Sequence, residues 1–207
     1  MALSNYSELK NSIINWSHRS DMDLLIDDFI TLAEVEMFKE TEQHEALQIK
    51  EMEIEYSGVL SLRTLALPTG FKSMRSFILD NEAKSDLLYN TPDQLPVRSG
   101  TGQPRYYTIT NQIEVDVSPD QSYDVLMTYF QKPTGICSSN TTNIILTNHP
   151  DVYLYGALWA LFTHADDEAQ AMKYYQRFAL AINGANQADE AGRYGTAPYA
   201  KLNTAIA

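Results

Sequence analysis

Hydrophobic spacing changes twice along this chain. Near the N-terminus apolar residues recur at helical intervals. Leu9, Ile13 and Trp16 share a face, with Tyr6 a turn upstream, and Ser4 or Ser7 stands where an N-cap belongs. Arg19-Ser20-Asp21 interrupts the pattern. Asp21 then reads as the N-cap of a longer helix to about Thr41, with Leu25, Phe29, Leu32 and Glu36 on one stripe and Ala33 and Met37 beside it. From about Leu47 the period falls to two. LQIKEMEIEYSGVLSLRTLALPTGF predicts two strands joined near Ser57-Gly58, and KSMRSFILD predicts a third. DLLYNTPDQLPVR predicts a short strand followed by a turn or one helical turn starting at Thr91-Pro92. PRYYTITNQIEVDVSP reads as a hairpin turning at Thr110-Asn111 or one residue later, with Ile113, Val115 and Val117 inward and Glu114 and Asp116 outward. SYDVLMTYFQK is the last strand, and 133–143 is a loop.

The helical period then returns. Asn148 or His149 can cap a helix that has Pro150 in its first turn, where a missing N–H costs nothing. From Val152 to Phe162 every residue is apolar or aromatic except Gly156. Such a helix is buried on all sides, by its own domain or in part by neighbouring subunits. Gly156 costs about 1 kcal/mol relative to alanine in a helix interior, which points to a close approach of another backbone, with Ala157 and Ala160 widening the flat patch. Tyr153, Tyr155, Tyr174 and Tyr175 are a surplus for one small core, and tyrosine is favoured at subunit interfaces. Tyr153, Tyr155, Gly156, Trp159 and Ala160 are therefore candidates for subunit or helix packing. Asp166 is the expected cap of a second helix with Met172, Tyr175, Ala179 and Ile182 inward and Phe178 alongside. After Ala191, Gly192, Gly195 and Pro198 predict an extended arm.

The fold class is α+β. A helical bundle of two N-terminal and two C-terminal helices (1–45 and 143–191) carries an inserted antiparallel β-region (46–142) and an extended C-terminal arm (192–207).

Charge narrows the function. A net charge of −12 argues against DNA or an anionic membrane as the primary ligand. No apolar run approaches the roughly 18 residues of a membrane span. MALSNYSELK lacks the features of a secretory signal, so synthesis in a reducing cytoplasm is expected. Cys137, the single cysteine, reads as a small buried hydrophobe. His18, His44, His149 and His164 never pair at helical spacing, and the adjacent aspartates 27–28 and 166–167 point to different helix faces. No phosphate loop, nucleophile signature or zinc motif is present, so no catalytic residue, metal or cofactor is expected.

YSELKNSIINWSHRSDMDLLIDDFITLAEVEM, LALPTGFKSMRSFIL, PRYYTITNQIEVDVSPDQSYDVLMTYFQKP and NTTNIILTNHPDVYLYGALWALFTHADDEAQAMKYYQRF occur in the order found in head-to-tail adaptor proteins of tailed bacteriophages. The chain resembles that family, the adaptors of short-tailed phages above all, from about Tyr6 to Ala191. LTNHPDVYLYGAL is the most specific of these words. The resemblance implies a structural virion protein of the neck, not an enzyme. About twelve copies would form a ring between the portal protein and the tail nozzle, and DNA would pass through without specific binding. A head-completion or tail-terminator ring protein is the alternative within virions, and a phage hydrolase the alternative outside that class. In the C-terminal arm Tyr194, Tyr199, Leu202 and Ile206 are scattered apolar anchors and Arg193 and Lys201 the only charges, a combination expected to dock on an acidic partner, the portal above all. Where such adaptors carry an arginine-rich stretch late in the second helix, this chain has EVEMFKE.

Overall fold

A computed structural model describes residues 3–80 and 84–194. The chain divides into two compact units, one formed by residues up to 50 together with those from 135 onward, the other by residues 51–134. The fold is mixed α and β.

The first unit is helical. Helix α1 (Tyr6–Ser17) is capped by Asn5, whose side chain accepts from the Glu8 amide, and ends at His18 in the left-handed conformation (φ 55°). A 3-10 segment, Ser20–Leu25, leads into α2 (Ile26–Glu36). Asp21 therefore does not cap the long helix. It lies in the first turn of the 3-10 segment and pairs with Arg19 at 2.9 Å. The helix also ends earlier than Thr41, because Met37 is its C-cap. In the second half of the unit a short helix, α3 (Ile144–Asn148), stands where a loop and then a cap are expected; Asn143 caps it by accepting from the Leu146 amide. Helix α4 (Pro150–His164) begins with Pro150 at its first position. Its cap residue is His149, as expected, but without a side-chain hydrogen bond. Helix α5 is Glu168–Tyr194. Asp166 sits just before it with φ 54°, and the capping carboxylate is that of Asp167, which accepts from the Gln170 amide at 3.1 Å. The arm expected from 192 starts no earlier than 195, since Gly192 to Tyr194 are still helical.

The second unit consists of two four-stranded sheets. Strands β1 (Glu53–Leu60), β8 (Tyr123–Gln131), β3 (Phe71–Leu79) and β4 (Ser85–Asp86) form one, in that order. Strands β2 (Thr64–Ala66), β7 (Gln112–Val115), β6 (Tyr106–Ile109) and β5 (Leu88–Tyr89) form the other. Strand β8 is central and alternates as its sequence demands. Tyr123, Val125, Met127 and Tyr129 are buried, and they join Phe77, Leu79, Ile113 and Val115 in one core.

Three expectations fail here. Strand β1 runs unbroken through Ser57 and Gly58, with the turn three residues later at 61–63. The sheets are not purely antiparallel, because β5 pairs with β6 in parallel. Asp116 does not face water. It is fully buried, accepts from the Arg105 amide at 3.0 Å and pairs with Arg98 at 2.7 Å. Strand β7 ends at Val115, so the alternation stops before Asp116, whose carboxylate fastens the exposed run 91–103 to the sheet through Arg98. A buried carboxylate is tolerated when cation and amide donors compensate its lost hydration.

Candidate functional site

Helix α4 is the organising element of the helical unit. It packs against α1, α2, α3 and α5. Gly156 makes that possible on two sides at once. A Cβ built there would lie 2.8 Å from the Ala33 Cβ of α2 and 2.8 Å from Cε2 of Phe178 on α5. Both distances are shorter than side chains tolerate, so α2 and α5 converge on α4 where the side chain is missing.

Tyr153 and Glu34 tie the same helices together by a polar bond. The Tyr153 hydroxyl donates to Glu34 Oε1 at 2.8 Å and accepts from Asn143 Nδ2 at 2.7 Å. Glu34 Oε1 also accepts from the Ile136 amide at 2.7 Å. Burial, and then the adjacent carboxylate of Glu34, push the Tyr153 phenol far above the usual tyrosine range. Nothing in sequence spacing marks Glu34, Asn143 and Ile136 as neighbours of Tyr153.

Of the packing candidates, Tyr153, Gly156 and Ala160 are buried, while Tyr155 and Trp159 are half-buried. Aromatic rings cover those two within the same chain: Trp16 and Tyr174 lie at 6.1 and 6.4 Å from Tyr155, and Tyr175 lies at 5.2 Å from Trp159. The four tyrosines are thus accommodated by one chain. Tyr174 is buried beneath Phe162, and Tyr175 reaches Glu36 with its hydroxyl at 3.3 Å. Most of the apolar circumference of α4 is covered by its own chain, with Tyr155, Trp159 and Phe162 left half-buried.

A second construction lies along α5. Asn183, Asn186 and Asp189 recur at intervals of three and present one polar edge to the extended segment that follows α2. Asn186 accepts from the Gln48 amide at 2.9 Å and donates to the Ala46 carbonyl at 3.3 Å. Asn183 donates to the Gln43 carbonyl at 3.0 Å, and Asp189 accepts from the Lys50 amide at 2.8 Å. Helix side chains here supply the hydrogen bonds that a neighbouring strand would. Asp189 also pairs with Arg193 at 2.6 Å.

The apolar surface left over lies elsewhere. The buried face of α2 is Ile26, Phe29, Ile30 and Ala33, so the stripe is rotated from the expected one: Leu25 and Leu32 are exposed, and Val35 with them. Likewise Met172 on α5 points outward, while Ala171 and Tyr174 face in. Cys137 is exposed, not buried, and its thiol is held below the usual cysteine range by hydrogen bonds from the Ser139 hydroxyl and the Asn140 and Ser139 backbone. Of the residues assigned to the portal, Arg193 is in α5 and Tyr194 is its last residue. Tyr199, Lys201, Leu202 and Ile206 lie outside the described residues. Among the described residues no three histidine, cysteine or carboxylate side chains are grouped so as to hold a metal ion. No helix among them is long and apolar enough to cross a membrane.

A family model described as SU10 adaptor protein matches residues 4–200. The match spans nearly the whole chain, and the chain belongs to that family. It is a bacteriophage structural adaptor, and the family implies a virion component that interacts with other head or tail proteins. Among curated proteins, none matches it.

Proposed function

We propose that this adaptor closes with about eleven further copies into a ring between the portal and the tail nozzle of a short-tailed phage, and so extends the DNA channel. The observation that carries the ring is on α2. Its inner face is filled by α4, yet Leu32 and Val35 remain exposed on the outer one, at 52% and 45%, as does Leu25 at 37% in the 3-10 turn just before it. Apolar side chains left on the outer side of a helix whose inner face is already packed suit a second covering, and identical copies in a ring provide one without a dedicated partner. The charge balance supports a passage rather than a binding site for DNA: 27 acidic against 15 basic residues offer few contacts that would hold phosphates.

The β unit would then meet the nozzle, and the C-terminal segment would dock on the portal through Arg193, Tyr194, Tyr199, Lys201, Leu202 and Ile206. In that segment Arg193 and Lys201 are the only charged side chains beyond 191, which suits an acidic partner surface. The test is to mix the purified chain with portal rings of the same phage and image the product by electron microscopy. Ring-shaped density of twelve subunits beneath the portal is expected. Chain that stays apart from the portal through sedimentation would overturn the proposal.

A further inference from the structure

Two outer faces of the helical unit carry uncovered apolar side chains rimmed by opposite charges. On α2 and the 3-10 turn that leads into it, Leu25, Leu32 and Val35 are exposed, with Asp28 among them and Asp23 upstream, both exposed. On α5, Met172 and Leu180 are exposed at 66% and 71%, with Lys173 and Arg177 alongside and also exposed.

Two of the three cations of α5, Lys173 and Arg177, differ from the ion-paired cations of this unit. Lys10, Arg19, Lys39 and Arg193 are paired with Asp27, Asp21, Glu36 and Asp189. Lys173 instead donates to the Gln170 side-chain oxygen at 3.1 Å and lies over the Tyr174 ring. The Arg177 guanidinium lies 5.8 Å from both the Tyr155 and the Tyr174 ring centroids. Among the described residues neither ion-pairs with a carboxylate, in a protein whose net charge is −12.

We infer that the Leu25–Leu32–Val35 face of α2 in one copy packs on the Met172–Leu180 face of α5 in the next, with Asp28 and Asp23 set against Lys173 and Arg177. The inference rests on the ring reading above and names the surfaces that close it. Apolar area supplies the attraction, and the opposite rims select the unlike face and fix its register. Pairing of unlike faces leaves one of each free on every copy, which is the condition for a closed ring rather than a dimer. Contact between like faces would set aspartate against aspartate, or Lys173 and Arg177 against themselves, at a cost.

Cysteine crosslinking of the full chain in a Cys137→Ser background tests this. Leu32→Cys and Leu180→Cys are made singly and together, and each protein is oxidised under native conditions after circular dichroism has verified the fold. The double variant should give a ladder of covalent multimers, and each single variant no more than traces of dimer. Arg177→Glu should reduce the ladder about tenfold through like-charge repulsion, and Asp28→Arg added to it should restore the ladder. Strong dimers from either single variant, or no ladder from the double one, would overturn the assignment. Native mass spectrometry of the uncrosslinked chain separates the two failures: multimers without a 32–180 crosslink refute this interface and leave the ring, whereas a monomer at every concentration refutes both.

Discussion

The phenol of Tyr153 on α4 donates to the carboxylate of Glu34 on α2 across 2.8 Å, joining two halves of the helical unit that are 119 residues apart in sequence. Tyr153→Phe keeps the ring packing and deletes that bond together with the one from Asn143. The expected cost is about 1–3 kcal/mol, the usual range for leaving buried polar partners unsatisfied. Urea denaturation of the variant beside the parent measures it.

The same pair sets a pH dependence. The Tyr153 pKa is raised in the folded state by burial and by Glu34. The folded protein thus holds that proton more tightly than the unfolded chain, whose tyrosines titrate near about 10. Its contribution is complete below that pH and is lost as pH rises from there through the folded value. Stability should fall on the alkaline side, and Tyr153→Phe should flatten the fall. Tyr6, raised by burial and by its hydrogen bond to Asp27, leaves a remainder of the slope. Midpoints of urea unfolding between neutral and strongly alkaline pH would show whether the two curves converge; parallel curves would refute the linkage.

Two glycines make opposite predictions for one substitution. Gly156→Ala gains helix propensity but drives a methyl to 2.8 Å from Ala33 and from Phe178, and a net loss of about 1–3 kcal/mol is expected. Gly184, within α5, has open space where a Cβ would stand, with no neighbouring heavy atom within 4 Å, and Gly184→Ala should stabilise by up to about 1 kcal/mol. Thermal melts of both distinguish packing from propensity, and equal shifts would show that close approach at Gly156 is unimportant.

Asn186→Ala removes both bonds that hold Gln48 and Ala46 to α5. Global stability should drop by about 1 kcal/mol, the net value of such bonds. Hydrogen exchange at the Gln48 amide should accelerate far more than exchange in α4. Uniform acceleration throughout the unit would mean that the asparagine edge has no local role.

Asp116→Ala deletes a fully buried carboxylate that holds Arg98 and the Arg105 and Tyr106 amides. A loss of about 2–3 kcal/mol is expected, because charge-assisted bonds are among the stronger ones. Limited proteolysis should cut first within 91–103, the exposed run that Arg98 anchors. Unaltered protease resistance there would remove the anchoring role.

Much of the fold is legible because periodicity reports which side of an element is dry. Strand β7 and most of β8 follow their alternation, and α4 begins where Pro150 allows. The failures share a physical cause. Leu25 and Leu32 fit an inward stripe as well as Ile26, Phe29 and Ile30 do, and the phase of α2 is set by its packing on α4, where Ala33 meets Gly156. Asp116 reads as outward because alternation carries no notice of where a strand stops. The parallel pairing of β5 with β6 depends on a connection of sixteen residues from Asn90 to Arg105, whose path no local signal dictates. The Glu34 site is hidden for another reason: its partners come from α4 and from the segment around Ile136, and a hydrogen bond at such separation leaves no spacing to read.

The split construction of the helical unit has a consequence during synthesis. The ribosome releases α1 and α2 first, and then the β unit, before α4 and α5 exist. The β unit is continuous in sequence and can close by itself. Leu9, Ile13, Phe29 and Ile30 must wait for the helix that covers them, which begins only at Pro150, and at bacterial elongation speeds of about 5–20 residues per second that wait is on the order of ten seconds. Throughout that interval the nascent chain presents two amphipathic helices with their greasy sides bare. Chaperone occupancy on stalled chains should therefore peak before residue 150 emerges and fall once α4 has been delivered.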